Sequence, residues 1–303
     1  MTKKILIISG ATASGKSSLA LNFAEFKNIS IINADSLQIY KGLPILSSQP
    51  KKEEIEKVTH NLYSVLNFEE SSSVGLWLKL VKFAIEESWQ QKKLPVIVGG
   101  SGMYISKLVE GISEIPEIDE EIKKFSRELF EEIGVEEFRE KLINLGEEKE
   151  RIINLDKQRL IRSYEVLKQT GKSLFWWQNQ PNKMLFDDKI FTHINLNPNR
   201  EELYKNCNWR FELMLKNGAI DEVKSFMNHV SIETLPIAKT LGFIEIVDFL
   251  NERISYEEAI KIASQKTRNY AKRQLTWFRH QLPNKLVFSE SQAALSYLKN
   301  YEI

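Results

Sequence analysis

The feature of this sequence that most restricts its fold lies within the first seventeen residues. Four large apolar residues, Ile5 to Ile8, have the composition of a buried strand. Eight residues that fit the phosphate-loop pattern G-x-x-x-x-G-K-[ST] follow almost at once. They are Gly10, Ala11, Thr12, Ala13, Ser14, Gly15, Lys16 and Ser17. A strand, this loop and then helix-forming residues predict an α/β fold with a parallel sheet.

The residue types of this loop predict that it binds phosphate. Glycines let backbone N–H groups turn toward phosphate oxygens at the N-terminus of a helix, where unpaired donors and the helix dipole both favour anions. Lys16 adds a positive charge, and the hydroxyl of Ser17 can ligate a Mg²⁺ ion that bridges two phosphates. We therefore predict a site for a diphosphate or triphosphate group, with Mg²⁺ as cofactor and Ser17 as its protein ligand.

Further short β-branched runs predict the rest of the sheet. They cover residues 29–32, 95–98 and 191–196, with helix-like stretches at 17–26 and 76–91. Residues 113–150 include 14 acidic and 6 basic side chains, with apolar residues at helical spacing, which indicates a charged helical insertion. We predict a P-loop NTPase-like parallel sheet core, residues 1–115 and 187–303, and an inserted all-helical domain, residues 116–186.

The composition of the whole chain excludes several classes of protein. The 303 residues carry a formal net charge of +1 and one cysteine, Cys207, so neither an internal disulfide nor a cysteine-based zinc site can form. Apolar runs are too short for a secretory or membrane-spanning segment, so we expect a cytoplasmic protein with no membrane partner. Because the sequence has no coiled-coil pattern, a monomer is the expected state.

Local charge near the C-terminus is strongly basic. Residues 264–285 contain six Lys or Arg residues and no Asp or Glu. Steps of 7, 4 and 7 between Lys261, Arg268, Lys272 and Arg279 place these four side chains on one face of a helix. We call them the basic stripe. The stripe predicts contact with a polyanion, and a simply solvated face is the alternative.

Two strand ends beside the predicted phosphate loop carry polar residues. Asp35 follows the second strand, where open α/β sheets bind their ligands, and is a candidate general base; capping of the next turn is its alternative role. Ser101 follows Gly99 and Gly100, and such glycines allow another backbone or a ligand to approach closely. The predicted strand at 95–98, which precedes these glycines, ends without a carboxylate. This disfavours an enzyme that hydrolyses NTP and leaves a small-molecule kinase as a possible function.

Six segments together resemble one known family. In order along the chain they are 10–17, 34–40 (Ala-Asp-Ser-Leu-Gln-Ile-Tyr), 47–50 (Ser-Ser-Gln-Pro), 99–104 (Gly-Gly-Ser-Gly-Met-Tyr), 156–166 (Asp-Lys-Gln-Arg-Leu-Ile-Arg-Ser-Tyr-Glu-Val) and 267–278 (Thr-Arg-Asn-Tyr-Ala-Lys-Arg-Gln-Leu-Thr-Trp-Phe). From about residue 5 to about residue 280 the chain resembles the tRNA dimethylallyltransferase family. The resemblance implies transfer of a dimethylallyl group from dimethylallyl diphosphate to N6 of the adenine just 3′ of a tRNA anticodon, with release of diphosphate.

The resemblance also implies roles for individual residues. Asp35 takes a proton from the adenine amine, and Ser101 is the hydroxyl near that amine and the phosphates. Arg210 joins the phosphate loop in binding the diphosphate; pairing with Glu202 or Glu212 on a surface helix is its alternative role. The residues implied to contact the tRNA anticodon stem-loop are Asp35, Ser36, Leu37, Gln38, Ser101, Lys123, Gln158, Arg159, Leu160, Ile161, Arg162, Ser163, Arg268 and Lys272.

The sequence departs from the family pattern at several positions. Thr59 stands where a histidine is usual, Phe243 and Ile244 replace a tyrosine and a basic residue, and Lys123 replaces an arginine. Two other functions remain compatible with the phosphate loop, namely an adenylate isopentenyltransferase that uses free nucleotide and a P-loop small-molecule kinase.

Overall fold

The computed structural model describes residues 3–227, 235–282 and 285–300. The chain divides into two units, one made of residues 1–109 and 185–303 and the other of residues 110–184. We call them the core unit and the inserted unit. The predicted boundaries, after residues 115 and 186, fall a few residues later in the chain than those observed. Within the described ranges, no helix is long and apolar enough to cross a membrane.

The core unit is built on a parallel sheet. In the described residues its six strands are β1 (Ile5–Gly10), β2 (Ile29–Asn33), β3 (Thr59–Asn61), β4 (Leu94–Gly99), β5 (Phe191–Leu196) and β6 (Leu286–Phe288). Their order across the sheet is β3-β2-β4-β1-β5-β6, and every neighbouring pair is parallel. The predicted α/β fold with a parallel sheet is confirmed.

The strand order creates the place where a ligand can bind. Every residue of β1, β2 and β4 is buried, as expected for parallel strands covered on both faces. The strands β1 and β4 are neighbours, and the chain leaves them in opposite directions across the sheet. After β1 it continues to β2 on one side of the pair, and after β4 it continues to β5 on the other side. Such a switch point leaves a crevice at the carboxyl ends of the strands. The residues that follow β1, β2 and β4 therefore meet at one edge of the sheet.

Helices connect these strands and form the inserted unit. In the part of the chain that the structure describes they are α1 (Lys16–Ala24), α2 (Lys52–Lys57), α3 (Val74–Gln90), α4 (Gly102–Glu110), α5 (Glu120–Asn144), α6 (Lys149–Ile152), α7 (Lys157–Thr170), α8 (Leu174–Gln178), α9 (Arg200–Lys216), α10 (Ala219–Phe226), α11 (Phe243–Leu250), α12 (Tyr256–Gln281) and α13 (Ser291–Lys299). Short 3₁₀ turns cover Asp188–Ile190 and Pro236–Lys239. A large apolar cluster joins the strands to α1 and α13.

Helix α12 brings the C-terminal part of the chain to the phosphate loop. It begins with a capping box, in which Ser255 and Glu258 accept hydrogen bonds from each other's backbone N–H groups. On its buried side, Ala271 forms a small apolar cluster with Cys207 of α9 and Ala11 of the phosphate loop. This packing places α12 beside the loop even though about 260 residues separate them in sequence.

The inserted unit has a hydrophobic core of its own. Helix α5 is interrupted at Gly134, whose φ of 75° and ψ of 179° are not helical. Phe130 and Phe138 lie on either side of this break and have ring centroids 5.0 Å apart, and Phe138 also contacts Tyr164 of α7. These rings belong to one buried cluster. Each unit thus buries its own apolar side chains.

A buried polar group links β1 to β5. The hydroxyl of Ser9 lies 2.7 Å from Nε2 of His193 and accepts a 2.8 Å hydrogen bond from Nδ2 of Asn195. The hydroxyl can donate to Nε2 only when that nitrogen carries no proton, which is the case in a neutral ring protonated on Nδ1. Burial, and secondarily the charge of Lys285, lowers the pKa of His193 to about 4. The folded protein therefore holds this ring in its neutral form at neutral pH.

We predict that His193 makes the protein less stable in mild acid. In the unfolded chain the ring binds a proton near pH 6.5, whereas the folded protein resists protonation down to about pH 4. The free energy of unfolding should therefore fall as pH decreases through this window. Between pH 7 and pH 4.5 the wild type should lose about 2 kcal/mol more than His193→Gln, measured by urea denaturation. Equal losses in the two proteins would contradict the prediction.

Candidate active site

The phosphate loop joins β1 to α1 as the sequence predicts. Gly15 precedes α1 with a φ of 89°, and Ala13 has a φ of 62°. Alternating left-handed residues turn successive N–H groups to one side, which is the geometry of an anion-binding nest. A Cβ atom at Gly10 would lie 2.8 Å from the carbonyl oxygen of Leu196, so this position requires glycine. The amides that open α1 lack intrahelical acceptors and can bind an anion.

Hydrogen bonds inside the protein preorganise this loop. The N–H of Thr12 donates to Oε1 of Gln274 at 2.8 Å, so this amide is directed away from a phosphate ligand. The N–H of Ser14 and the ammonium of Lys16 both donate to the carbonyl oxygen of Ala11, each at 3.2 Å. The loop thus has a defined shape that the protein itself maintains.

Two cationic side chains lie at the loop. Burial lowers the pKa of Lys16 to about 8, while the charge of Asp35 raises it and the charge of Arg210 lowers it. Burial lowers the pKa of Arg210 as well. In the described residues, Arg210 forms no ion pair with Glu202 or Glu212, which was its alternative role. A lysine, an arginine and a carboxylate are therefore close enough to influence one another electrostatically.

Asp35 is fixed by its neighbours after β2. Its N–H donates to Oδ1 of Asn33 at 2.8 Å, and its own Oδ1 accepts from the N–H of Leu37 at 2.9 Å. The second bond is the turn-capping interaction that was the alternative role of this carboxylate. The cap orients the carboxylate and leaves the second oxygen to act on a ligand.

Ser101 lies between the ends of β4 and β2. Its N–H donates to the carbonyl oxygen of Ala34, and its hydroxyl accepts from the N–H of Ser36, both at 3.0 Å. A Cβ atom at Gly99 would lie only 2.0 Å from the carbonyl oxygen of Ala34, so glycine is required for the two segments to come this close. The Ser101 hydroxyl keeps its own proton, which it can donate to a ligand.

The phosphate loop, Asp35 and Arg210 line one cavity of about 1270 Å³, and Ser101 is not among its lining residues. Its polar wall includes the phosphate loop from Thr12 to Ser17, together with Asp35 and Arg210. Its apolar wall includes Leu37, Pro44, Ile45, Leu46, Leu213, Met214 and Leu241. A cavity with a cationic end and an apolar wall suits a ligand that combines a phosphate group with a hydrocarbon chain.

The segment that forms part of the apolar wall is held from two sides. Nε2 of Gln38 donates to the carbonyl oxygen of Ser47 at 2.9 Å. The two carboxylate oxygens of Glu222 accept from the N–H groups of Ile45 and Leu46, at 2.8 and 2.9 Å. The amide of Gln38, a predicted tRNA contact, therefore has a structural role in shaping the cavity.

Sequence reasoning left several side chains of the site without a role. Gln274 contacts the phosphate loop, Glu222 holds the cavity wall, and the exposed Trp209 lines the cavity. Tyr270 of α12 also lines the cavity. Gln274 lies in a segment that carries the family resemblance, but its partner Thr12 is 262 positions away, and no local pattern predicts that contact.

Helix α12 supports all four residues of the basic stripe. Lys261, Lys272 and Arg279 are exposed. Arg268 is partly buried, and its Nη1 donates to Oδ1 of Asn208 at 2.5 Å. The helical part of the prediction is confirmed by α12. The partner of the stripe stays a prediction.

The inserted unit corrects part of the predicted tRNA contact on α7. Gln158 and Arg159 are exposed and Arg162 is partly exposed. The side chains that point inward are Leu160, Ile161 and Ser163, which are 0%, 7% and 0% exposed. The first two belong to the apolar core, and the third donates to Glu147 at 2.7 Å. These three side chains cannot reach an RNA, because helical periodicity turns them away from solvent.

The departures from the family pattern have structural counterparts. The hydroxyl of Thr59 accepts a 2.8 Å hydrogen bond from Lys93, Phe243 is fully buried, and Ile244 is 41% exposed. Lys123 forms an ion pair with a neighbouring glutamate at 2.6 Å. Two of the four positions therefore take part in hydrogen bonds or ion pairs within their own unit, and one packs in the core.

The donor atoms present allow one kind of metal site. Ser17 is exposed and lines the cavity at the start of α1, so its hydroxyl is an oxygen ligand of the type that Mg²⁺ takes. No group of three or more His, Cys, Asp or Glu residues in the described ranges could hold a metal ion. A Mg²⁺ ion at Ser17 would therefore take its other ligands from phosphate oxygens and water.

The fold and the site define a P-loop α/β protein whose cavity places a phosphate-binding loop beside a carboxylate. Comparisons with known proteins assign it to one family. A family model described as "IPP transferase" matches residues 38–281, and one described as "Isopentenyl transferase" matches residues 3–67. The chain belongs to the IPP transferase family. The resemblance inferred from the motifs is confirmed.

Individual relatives extend over nearly the whole chain. A protein of Ehrlichia chaffeensis named tRNA dimethylallyltransferase is 41% identical, over 98% of this chain and 97% of its own. The crystal structure of the full-length tRNA isopentenylpyrophosphate transferase from Bacillus halodurans aligns with a TM-score of 0.69 at 28% identity, covering 99% of this chain and 95% of that one. A eukaryotic dimethylallyltransferase acting on tRNA aligns with a TM-score of 0.78 at 23% identity, covering 100% and 81%, and shows the fold alone.

We predict that diphosphate binding is coupled to proton uptake by Lys16. Because the pKa of Lys16 is lowered to about 8, its ammonium loses charge as pH rises through this value, and a bound diphosphate would restore it. The Kd of an alkyl diphosphate should therefore rise by a factor approaching tenfold per pH unit above about pH 8.5. Fluorescence of the cavity residue Trp209 can follow binding.

The control is Lys16→Met, which removes the titrating group. Its affinity should be weak and nearly independent of pH over the same range. If the wild type shows an equally flat profile, Lys16 does not change its protonation on binding.

Proposed function

We propose that this chain transfers a dimethylallyl group from dimethylallyl diphosphate to N6 of the adenine just 3′ of a tRNA anticodon. One observation carries the proposal: a single cavity combines a phosphate loop, two cationic side chains and the carboxylate of Asp35, in a member of the IPP transferase family. The name of the relative that is 41% identical, tRNA dimethylallyltransferase, supports tRNA as the acceptor.

The donor binds with its diphosphate at the phosphate loop. There the N-terminus of α1, Lys16 and Arg210 supply positive charge. The bond between C1 of the dimethylallyl group and the diphosphate oxygen breaks during the reaction, so negative charge accumulates on the diphosphate. Fixed cations and N–H donors stabilise this charge more in the transition state than in the ground state, which accelerates the reaction. The apolar wall accommodates the five-carbon chain.

The acceptor amine needs a base because its lone pair is delocalised into the adenine ring. N6 attacks C1, a new N–C bond forms, the C1–O bond breaks, and Asp35 takes the proton that N6 loses. The hydrogen bond from Leu37 N–H to Oδ1 supports this role, since it fixes the orientation of the carboxylate. Ser101, whose hydroxyl is positioned by the N–H of Ser36, can donate to the amine or to the phosphates.

The tRNA presents its adenine to the cavity by flipping it out of the anticodon loop. Exposed and partly exposed side chains of the inserted unit, Lys123, Gln158, Arg159 and Arg162, contact the RNA. In the core unit, Ser36 and Leu37 contact the flipped base and its neighbours, and Arg268 and Lys272 meet phosphates. Binding that neutralises RNA phosphates depends steeply on salt.

Three further parts of the proposal concern the setting of the reaction. The Ser17 hydroxyl would help to hold a Mg²⁺ ion, which would neutralise charge on the diphosphate. A tRNA acceptor and a free, buried cysteine, Cys207, suit the cytoplasm. The protein acts as a monomer, since one chain contains the whole cavity described above.

An acceptor competition tests the proposed function. The protein is incubated with Mg²⁺, dimethylallyl diphosphate and one acceptor at a time: an unmodified tRNA transcript with adenine 3′ of the anticodon, AMP, or ATP with a panel of small hydroxyl compounds. Mass spectrometry of digested nucleosides should show N6-dimethylallyladenosine only with tRNA. Product on AMP would identify a free-nucleotide isopentenyltransferase, and phosphate transfer from ATP would identify a kinase.

We predict that Asp35→Asn abolishes turnover without weakening tRNA binding. Asparagine can still accept the Leu37 N–H through its carbonyl oxygen, but it cannot take up a proton at neutral pH. The kcat should fall about 100-fold or more, as for loss of a general base, while the Kd for tRNA stays within a few fold. Single-turnover assays and filter binding measure the two quantities. Turnover at the wild-type level would remove Asp35 from the base role.

A further inference from the structure

Gln274 occupies an unusual position for a residue with no assigned role. It lies on the buried side of α12 and is 7% exposed. Its side-chain amide uses both ends: Oε1 accepts from the N–H of Thr12 at 2.8 Å, and Nε2 donates to the carbonyl oxygen of Gly100 at 2.9 Å. One side chain thus connects the phosphate loop after β1 with the loop after β4.

The hydrogen bond from Gln274 to Gly100 is followed by further bonds that lead to the Asp35 segment. Ser101, the residue after Gly100, donates its N–H to Ala34 and accepts from the N–H of Ser36. These two residues flank Asp35. A continuous set of hydrogen bonds therefore runs from the phosphate loop through Gln274 and the Gly100–Ser101 backbone to the Asp35 segment.

Packing also restricts movement of the loop after β4. A Cβ atom at Gly100 would lie 2.3 Å from Nε2 of Gln274 and 3.2 Å from the carbonyl oxygen of Gly10. A Cβ atom at Gly102 would lie 2.1 Å from the ring of Trp277, one helical turn beyond Gln274 on α12. These short distances show that the backbone at Gly100 and Gly102 packs directly against α12. The loop after β4 therefore cannot shift without moving this helix.

We propose that Gln274 is a positioning residue that sets the separation and alignment of the donor diphosphate relative to Asp35 and Ser101. This inference rests on the proposed function, because in-line attack requires the two substrates to be held in one geometry. Neither end of the side chain touches a reacting atom. Its effect passes through Thr12 on the donor side and through the Gly100 carbonyl on the acceptor side.

A positioning role predicts that kcat falls while substrate binding persists. Gln274→Met keeps the length and volume of the side chain and removes both hydrogen bonds. Its kcat should fall about 10- to 100-fold, with Kd values for dimethylallyl diphosphate and tRNA within about threefold of wild type. Gln274→Glu retains an acceptor for Thr12 and loses the donor to Gly100, so its kcat should fall as well.

The matched control is Thr267→Val on the same helix. Thr267 is also buried, and its hydroxyl donates to the carbonyl oxygen of Ala263 within α12. The control therefore loses a buried hydrogen bond of α12 without affecting either loop. Its kcat should stay within twofold of wild type. Thermal melting of all variants separates lost activity from lost folded protein.

Hydrogen exchange gives a readout that does not require activity. In Gln274→Met, peptides that cover residues 10–17 and 99–104 should both exchange faster than in wild type, and in Thr267→Val neither should change. Faster exchange in only one loop, or unchanged exchange in both, would overturn the coupling. A folded Gln274→Met protein with kcat within threefold of wild type would also overturn it. An inactive wild type would instead contradict the proposed function and leave the exchange result to decide this inference.

Discussion

The close approach of two backbone segments at the carboxyl edge of the sheet is the constraint on which the site depends. Gly99 lies so near Ala34 that a Cβ atom would be 2.0 Å from the Ala34 carbonyl oxygen. This contact allows the N–H of Ser101 to bond Ala34 and the Ser101 hydroxyl to accept from Ser36. A larger residue at position 99 would separate the two loops, and the serine would lose its fixed distance from Asp35. The geometry of the candidate site thus depends on a position that has no side chain.

The charged side chains of the site form its second essential feature. Lys16 and Arg210 are both held where burial lowers their pKa values, and Asp35 offsets part of that effect for each. Partly desolvated cations interact strongly with an incoming anion, because little water remains to be displaced and the local dielectric constant is low. The free energy needed to desolvate these charges and hold them together is offset when the protein folds, before any ligand binds. The proposed diphosphate would balance these charges and restore the full charge of Lys16.

Prediction from the sequence succeeded where the signal is local. The strand predicted at 191–196 matches β5, and the phosphate loop and the helix after it lie where the pattern placed them. The family assignment from motifs is also confirmed. Prediction was less complete for α7, because all the consecutive residues of a motif were expected to contact tRNA from one surface. Leu160, Ile161 and Ser163 stand in that motif, but the 3.6-residue period of the helix turns their side chains into the core.

The sequence by itself determined the class of fold, the phosphate loop, the family and the candidate base Asp35, because each depends on residues that are close together in the chain. The tertiary structure decided which of these groups share a cavity, that Gln274 holds the phosphate loop and Glu222 the cavity wall, and which face of α7 is exposed. The physical reason is that burial and hydrogen bonding between distant segments depend on the packing of whole elements. No local pattern of residues specifies a contact between positions 12 and 274.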